Sequence, residues 1–326
     1  MKRYLGYLTS RADNHIVSHG LGDWYDIGPA APGQAQLTPA ALTATAIYYY
    51  DTSVLAQAAQ LLGHTDDAKQ FSELADKIRD AFNDKFFNAQ TRQYAAGSQT
   101  ANAIPLVMEL VKSENRNDVL DAVIRDVQKH GNSITAGDVG YRYLLRALAD
   151  GGRSDVIFAM NNQSDKPGYG YQLKKGATSL TEAWNAARGS SQNHFMLGQI
   201  MEWFYCDLAG IGIDPTGPGF RKIIIHPQPV GNLKWVKASY KSINGLIAAD
   251  WKIEKTHISL NVAIPANTTA TVYVPTIDFR SVSESGQSAD SGKTTGVRFI
   301  KTQDGCAVFH VGSGNYKFRA KIAERP

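Results

Sequence analysis

The sequence predicts a multidomain molecule, with a domain of paired helices over residues 1–209 followed by an antiparallel β-sandwich over residues 210–326. Three observations predict it. Apolar residues recur at spacings of three and four through most of the first part, as in Ala68, Phe71, Leu74, Ala75, Ile78 and Phe82, the stripe of a helix packed on one side. From Gly210-Ile-Gly-Ile-Asp-Pro-Thr-Gly-Pro-Gly onward the texture becomes short β-branched runs punctuated by glycine and proline, the pattern of strands joined by turns. At 326 residues the chain also exceeds what a single core usually holds.

Taken in order, residues 2 to about 12 form a short amphipathic helix, and His19 to Gly33 is too rich in Gly and Pro for a regular element. Thr38-Pro39 reads as an N-cap with Pro at the first helical position of a helix that Gly63 ends. Thr65 caps the next, with Asp66 and Asp67 suited to its positive end. Asn102–Val111 pairs with Asn117–His130, and Tyr141–Leu148 with Ser154 to about Met160. Gln192–Ala209 is almost wholly apolar and so is expected to be one central helix, covered on every side. Eight strands follow, beginning at Ile223, Leu233, Gly245, His257, Thr268, Gly296, Cys306 and Asn315, with Ser283–Thr295 as an exposed hairpin loop.

Composition narrows the function. The 34 basic and 30 acidic side chains are interspersed, so no stripe for nucleic acid and no cluster for an anionic membrane stands out. No apolar run approaches the ~18 residues of a membrane span, and the N-terminus lacks the apolar core of a secretory signal. Cys206 and Cys306 lie in different halves and read as two buried thiols rather than a disulfide. No Cys/His cluster has metal-ligand spacing and no glycine pattern matches a phosphate loop, so neither metal nor nucleotide cofactor is expected.

The chemistry concentrates between Pro167 and Trp203. Glu182, between Leu180 and Trp184, is a carboxylate that partial desolvation would suit to water activation, or else a solvated or capping residue. Asp23, Trp24 and Asp26 have the composition of a sugar subsite, where carboxylates bond hydroxyls and an indole stacks on the ring, or of a capped turn with a core Trp. His194 could orient a carboxylate or bond a hydroxyl, and Tyr169 and Trp184 could be platform or core.

Several segments together resemble the α-L-rhamnosidases of glycoside hydrolase family 78: Gly22-Asp-Trp-Tyr-Asp-Ile-Gly-Pro, Thr38-Pro through Leu62-Gly63, Gly140-Tyr-Arg-Tyr-Leu-Leu-Arg-Ala-Leu, Gly176-Ala-Thr-Ser-Leu-Thr-Glu-Ala-Trp and Asn193-His-Phe-Met-Leu-Gly with Glu202-Trp203. The resemblance implies part of an (α/α)6 barrel followed by a β-sandwich, and inverting hydrolysis of terminal α-L-rhamnosides without cofactor. It implies Glu182 as the general base, His194, Asp23 and Trp24 at the rhamnose site, and Trp184 as the aromatic that follows the base; Asp26 and Tyr169 stand beside them as substrate-binding candidates from the residues themselves. Its general acid lies in a motif upstream of the Gly-Asp-Trp loop, which these residues do not include. The expected partners are therefore a rhamnose-containing glycoside or oligosaccharide and the remainder of the barrel, on the same polypeptide or a second chain. The compartment stays open, with the periplasm or exterior favoured for a polysaccharide-degrading enzyme. An inverting α-glycosidase of another six-hairpin family and a non-catalytic carbohydrate binder remain as alternatives.

Overall fold

The computed structural model describes residues 1–289 and 296–324. The chain divides into two compact units, Met1–Gln199 and Ile200–Pro326.

The first unit opens with α1 (Lys2–Arg11) and continues as three helix pairs: α2 (Ala40–Leu61) with α3 (Thr65–Phe86), α4 (Gln99–Val107) with α5 (Arg116–Lys129), and α6 (Gly140–Asp150) with α7 (Ser154–Asn161). A short hairpin of two-residue strands, β1 (Phe87–Asn88) and β2 (Gln93–Tyr94), joins the first pair to the second. The first members of the pairs also pack on one another, α2 on α4 and α4 on α6. They make an inner row, the arrangement of a helix-hairpin barrel segment. α4 sits in the middle of that row, with Gln99 to Leu106 all buried. A short α8 (Tyr169–Lys174) leads into an irregular loop.

Helix starts differ in detail from expectation. Pro39 takes the N-cap position of α2, and the Thr38 hydroxyl shares a hydrogen bond with Ser98 at 2.7 Å. His64 precedes α3, so Thr65 is its first helical residue; Asp66 and Asp67 do fall in its first turn. Gln192–Ala209 is not one helix. It consists of a loop, a 3-10 turn at Phe195–Gln199, a four-residue α9 (Ile200–Trp203) and a π turn at Phe204–Leu208. Nor is it covered all round: Phe195 is 82% exposed and Met201 50%.

The second unit is a two-sheet structure. One sheet has the order β10-β9-β13-β7-β6-β5 and the other β11-β12-β8-β4-β3. The strands are β3 (Ile211–Ile213), β4 (Lys222–Ile225), β5 (Trp235–Ser242), β6 (Gly245–Glu254), β7 (His257–Ile264), β8 (Thr269–Pro275), β9 (Ser283–Glu284), β10 (Gln287–Ser288), β11 (Val297–Gln303), β12 (Cys306–Val311) and β13 (Gly314–Lys321). All eight expected strands are present. Alternating residues of both sheets, among them Ile247, Trp251, Phe309 and Phe318, share one core. The pairing is antiparallel except between β4 and β8. The chain builds β5, β6 and β7 into the other sheet before returning, and it returns in the same direction. The segment expected as an exposed loop begins as the hairpin β9–β10, where Glu284 and Ala289 are buried; residues 290–295 lie outside the described residues.

Cys306 is buried and its thiol is pushed up to about 11 by burial, whereas Cys206 is exposed, contrary to expectation, because the segment holding it is not the covered helix its composition suggested. One thiol should accordingly react with a disulfide reagent in the native chain and the second only on unfolding, which a timed thiol titration checks.

Candidate active site

Two irregular segments of the first unit build the site, the Gly/Pro-rich loop ahead of α2 and the loop from Ala177 to His194 after α8. The first is anchored by its aspartates. Asp23 is wholly buried, and its carboxylate accepts from the Thr100 hydroxyl at 2.5 Å, Gly137 N at 2.9 Å and Gly140 N at 2.7 Å. Thr100 lies on α4 and Gly140 opens α6, so one side chain ties the loop to both inner helices at the positive end of α6. A side chain at 140 would be driven into Thr100 and would lie 2.7 Å from Asp23 Oδ2, so only glycine lets the carboxylate approach this closely. Burial still pushes the Asp23 carboxyl up to about 6, against the pull of its three donors. Asp26, also buried, accepts from Gln36 N at 2.9 Å and Leu37 N at 2.8 Å and closes the loop on itself.

Between these anchors the backbone turns Trp24 toward the second loop. Its Nε1 donates to Glu182 Oε1 at 3.3 Å. Tyr25 adopts a left-handed φ of 62°, a conformation that costs a non-glycine residue about 1 kcal/mol. Its ring centroid lies 5.4 Å from that of Trp24, and its hydroxyl accepts from Ser190 Oγ at 3.2 Å, contacts that hold the two loops together.

Glu182 is half-buried. Its Oε2 accepts from Ser191 N at 3.1 Å, and its own N donates to Ser191 O at 2.9 Å. The carboxylate is therefore fixed on one side by an indole and on the other by backbone, with its remaining lone pairs available to solvent. His194 N donates to Leu180 O at 2.8 Å, which brings the imidazole back beside Glu182. Oxygens of Glu182 and Asp138 and a ring nitrogen of His194 all lie within 4.8 Å of one another.

Asp138 is the member that sequence reasoning missed. It is buried, and burial together with the charges of Glu182 and Asp23 pushes its carboxyl up to about 7. Its Oδ2 stands 4.0 Å from His194 Nδ1, and its Oδ1 has no hydrogen-bond partner. The available signal was an Asp set between glycines in an irregular run, 133–138, that turns out to be entirely buried. Asp138, Glu182 and His194 are also the residues able to hold a cation, one that no sequence spacing announced.

The remaining candidates stand behind the site. Trp184 is 1% exposed; its Nε1 donates to Ala136 O at 2.9 Å, and its ring meets Tyr141 and Tyr169 edge-on at 4.8 and 5.2 Å. The Tyr169 hydroxyl bonds Leu197 O. Trp184 fills a core cluster rather than a sugar platform, and Asp23 and Asp26 are closed off by the donors they hold; Trp24, Glu182 and His194 keep an accessible face.

The chain matches known proteins over nearly all its length. Residues 1–208 match the family model of the bacterial α-L-rhamnosidase six-hairpin glycosidase domain, and residues 212–289 that of the bacterial α-L-rhamnosidase C-terminal domain. An α-L-rhamnosidase of Streptomyces avermitilis is 29% identical over 97% of the chain, which spans 29% of that protein. The crystal structure of the Streptomyces avermitilis enzyme complexed with L-rhamnose superposes with a TM-score of 0.87, at 28% identity over 98% of this chain and 30% of the other. The structure of α-L-rhamnosidase from Dictyoglumus thermophilum superposes with a TM-score of 0.88, at 33% identity over 98% of this chain and 36% of the other. The chain thus spans about a third of the length of these relatives, and it belongs to the bacterial α-L-rhamnosidase family, with the six-hairpin glycosidase and C-terminal domains as its two parts.

Proposed function

We propose that this chain supplies the general base and part of the sugar site for inverting hydrolysis of terminal α-L-rhamnosides. The observation that carries the reading is Glu182. Its carboxylate is held by Trp24 Nε1 and Ser191 N yet remains half-exposed beside His194, in a member of a family named for this activity. L-Rhamnose, the ligand in the Streptomyces avermitilis structure, is the expected sugar.

In this reading a water bonded to Glu182 attacks the anomeric carbon from the face opposite the leaving oxygen and loses its proton to the carboxylate. The C–O bond breaks as a second carboxyl protonates the departing oxygen. His194 donates to or accepts from a sugar hydroxyl, and Trp24 orients the base while offering its ring edge to the sugar. Asp23, Asp26, Tyr169 and Trp184 hold these groups in place. Asp138 is not the acid of an inverting pair. Such carboxyls are roughly 6.5–9.5 Å apart so that water fits between them, whereas the Asp138 and Glu182 oxygens lie within 4.8 Å. The acid is expected from the family length that this chain does not span.

The pair's short separation is nearer to that of a retaining enzyme, roughly 5–5.5 Å, but Asp138 at 3% exposure presents no face to a leaving group. Proton NMR of an aryl α-L-rhamnoside reaction, run with the polypeptide that completes the barrel, decides between them. β-Rhamnose as the first product is expected. α-Rhamnose appearing first would overturn the role of Glu182 as a base.

A further inference from the structure

We propose that Asp138, Glu182 and His194 form a binding site for one divalent transition-metal ion of the zinc class. The three residues come from separate places in the chain, yet one donor atom of each lies within 4.8 Å of the other two. Liganded donors on a tetrahedral ion of this class are about 3.4 Å apart. The 4.0 Å between Asp138 Oδ2 and His194 Nδ1 is close to that spacing.

The unsatisfied atoms point the same way. Asp138 is 3% exposed, and its Oδ1 has no hydrogen-bond donor; His194 Nδ1 is likewise a buried atom without a hydrogen-bond partner. Polar atoms withdrawn from water and left unbonded are costly, and a buried carboxylate more so. Both residues lie beside a second carboxylate, Glu182. A dication among them gives His194 Nδ1 a partner, neutralises the buried Asp138 carboxyl and turns the repulsion between the two carboxylates into attraction.

The donor set selects the class of ion. Calcium takes six to eight oxygens, and magnesium keeps an octahedral shell rich in water and carboxylate. One imidazole and two carboxylates are instead a zinc-type set of three protein ligands. Outer contacts are present as well. Trp24 Nε1 and Ser191 N orient the Glu182 carboxylate.

The proposal does not depend on the hydrolytic reading, since it concerns what the three side chains bind at rest. Both use Glu182, so the ion and a rhamnoside would exclude one another. The test is calorimetric titration of Zn2+, with Ca2+ as comparison, into the full chain and into Asp138→Asn and His194→Gln. One Zn2+ per chain is expected, with each substitution weakening it by about tenfold or more, because losing even an outer-shell partner costs that much, and with Ca2+ far weaker. Absence of Zn2+ binding, or affinity unchanged in both variants, overturns the site. Should either variant unfold, histidine side-chain NMR of the unsubstituted chain decides. Of its 8 histidines, His194 should respond first to Zn2+, and a first response from any other would place the ion elsewhere.

Discussion

Glu182→Gln, made in the polypeptide that completes the barrel, is expected to lower turnover of an aryl α-L-rhamnoside by about a thousandfold while leaving rhamnose affinity within a few-fold. The size follows from what a positioned base supplies, roughly 10²–10⁴ in rate. Gln keeps an oxygen for Trp24 Nε1, whose hydrogen bond at 3.3 Å orients the side chain, so the loop geometry should persist. The amide NH2 must then face Ser191 N, a donor that now contacts Oε2 at 3.1 Å. That mismatch predicts a small local shift and a modest loss of stability, not loss of the sugar site. Paired initial-rate and calorimetric measurements check both halves. Turnover within tenfold of the unsubstituted enzyme would remove Glu182 from the reaction, and loss of rhamnose binding would make it a ligand-holding residue instead.

Which features the sequence disclosed follows from how far apart their determinants lie. α3 was legible because its apolar stripe and the acids of its first turn sit within single turns of helix. The strands from β4 to β8 were legible because alternation and turn residues are local. The 192–209 segment misled because uniform apolarity suggests total burial, whereas the segment folds as a loop and three short turns that leave Phe195 and Met201 exposed. The parallel pairing of β4 with β8 depends on a crossover spanning three strands, which no local pattern encodes.

The site divides in the same way. Glu182, His194 and Trp24 share a short list of local cues, a desolvating neighbourhood and a motif order, and the structure brings them together. Asp138 has no such cue. Its neighbourhood is made by residues 44 and 56 positions later in the chain, which alone bring Glu182 and His194 beside it. Asp23 shows the converse error: the composition of its loop is that of a sugar subsite, but its carboxylate is consumed by Thr100, Gly137 and Gly140 before any ligand arrives.

Asp23 therefore carries the largest expected effect on stability. Asp23→Ala leaves three buried donors without an acceptor, at about 1–3 kcal/mol each, and separates the Trp24 loop from α4 and α6 together. A loss of about 3 kcal/mol or more is expected, near 10 °C in Tm for a unit of this size, read by thermal or urea unfolding. A change below about 1 kcal/mol would mean that water reaches these donors and that the anchor is not structural. The pH dependence distinguishes the carboxylate's charge from its shape. Burial raises the Asp23 pKa in the folded chain to about 6 from 3.8, so the folded state binds this proton more tightly than the unfolded one. The associated stability is fully present below about pH 4 and is lost as pH rises toward 6, by about 3 kcal/mol for a shift of this size. Asp23→Asn retains one acceptor and cannot ionise. Its unfolding free energy should be lower than that of the unsubstituted chain near pH 4, with the difference narrowing as pH rises to 6. A difference that stays constant across that range would show that Asp23 is held by its three donors as an ordinary carboxylate, with its burial cost already offset.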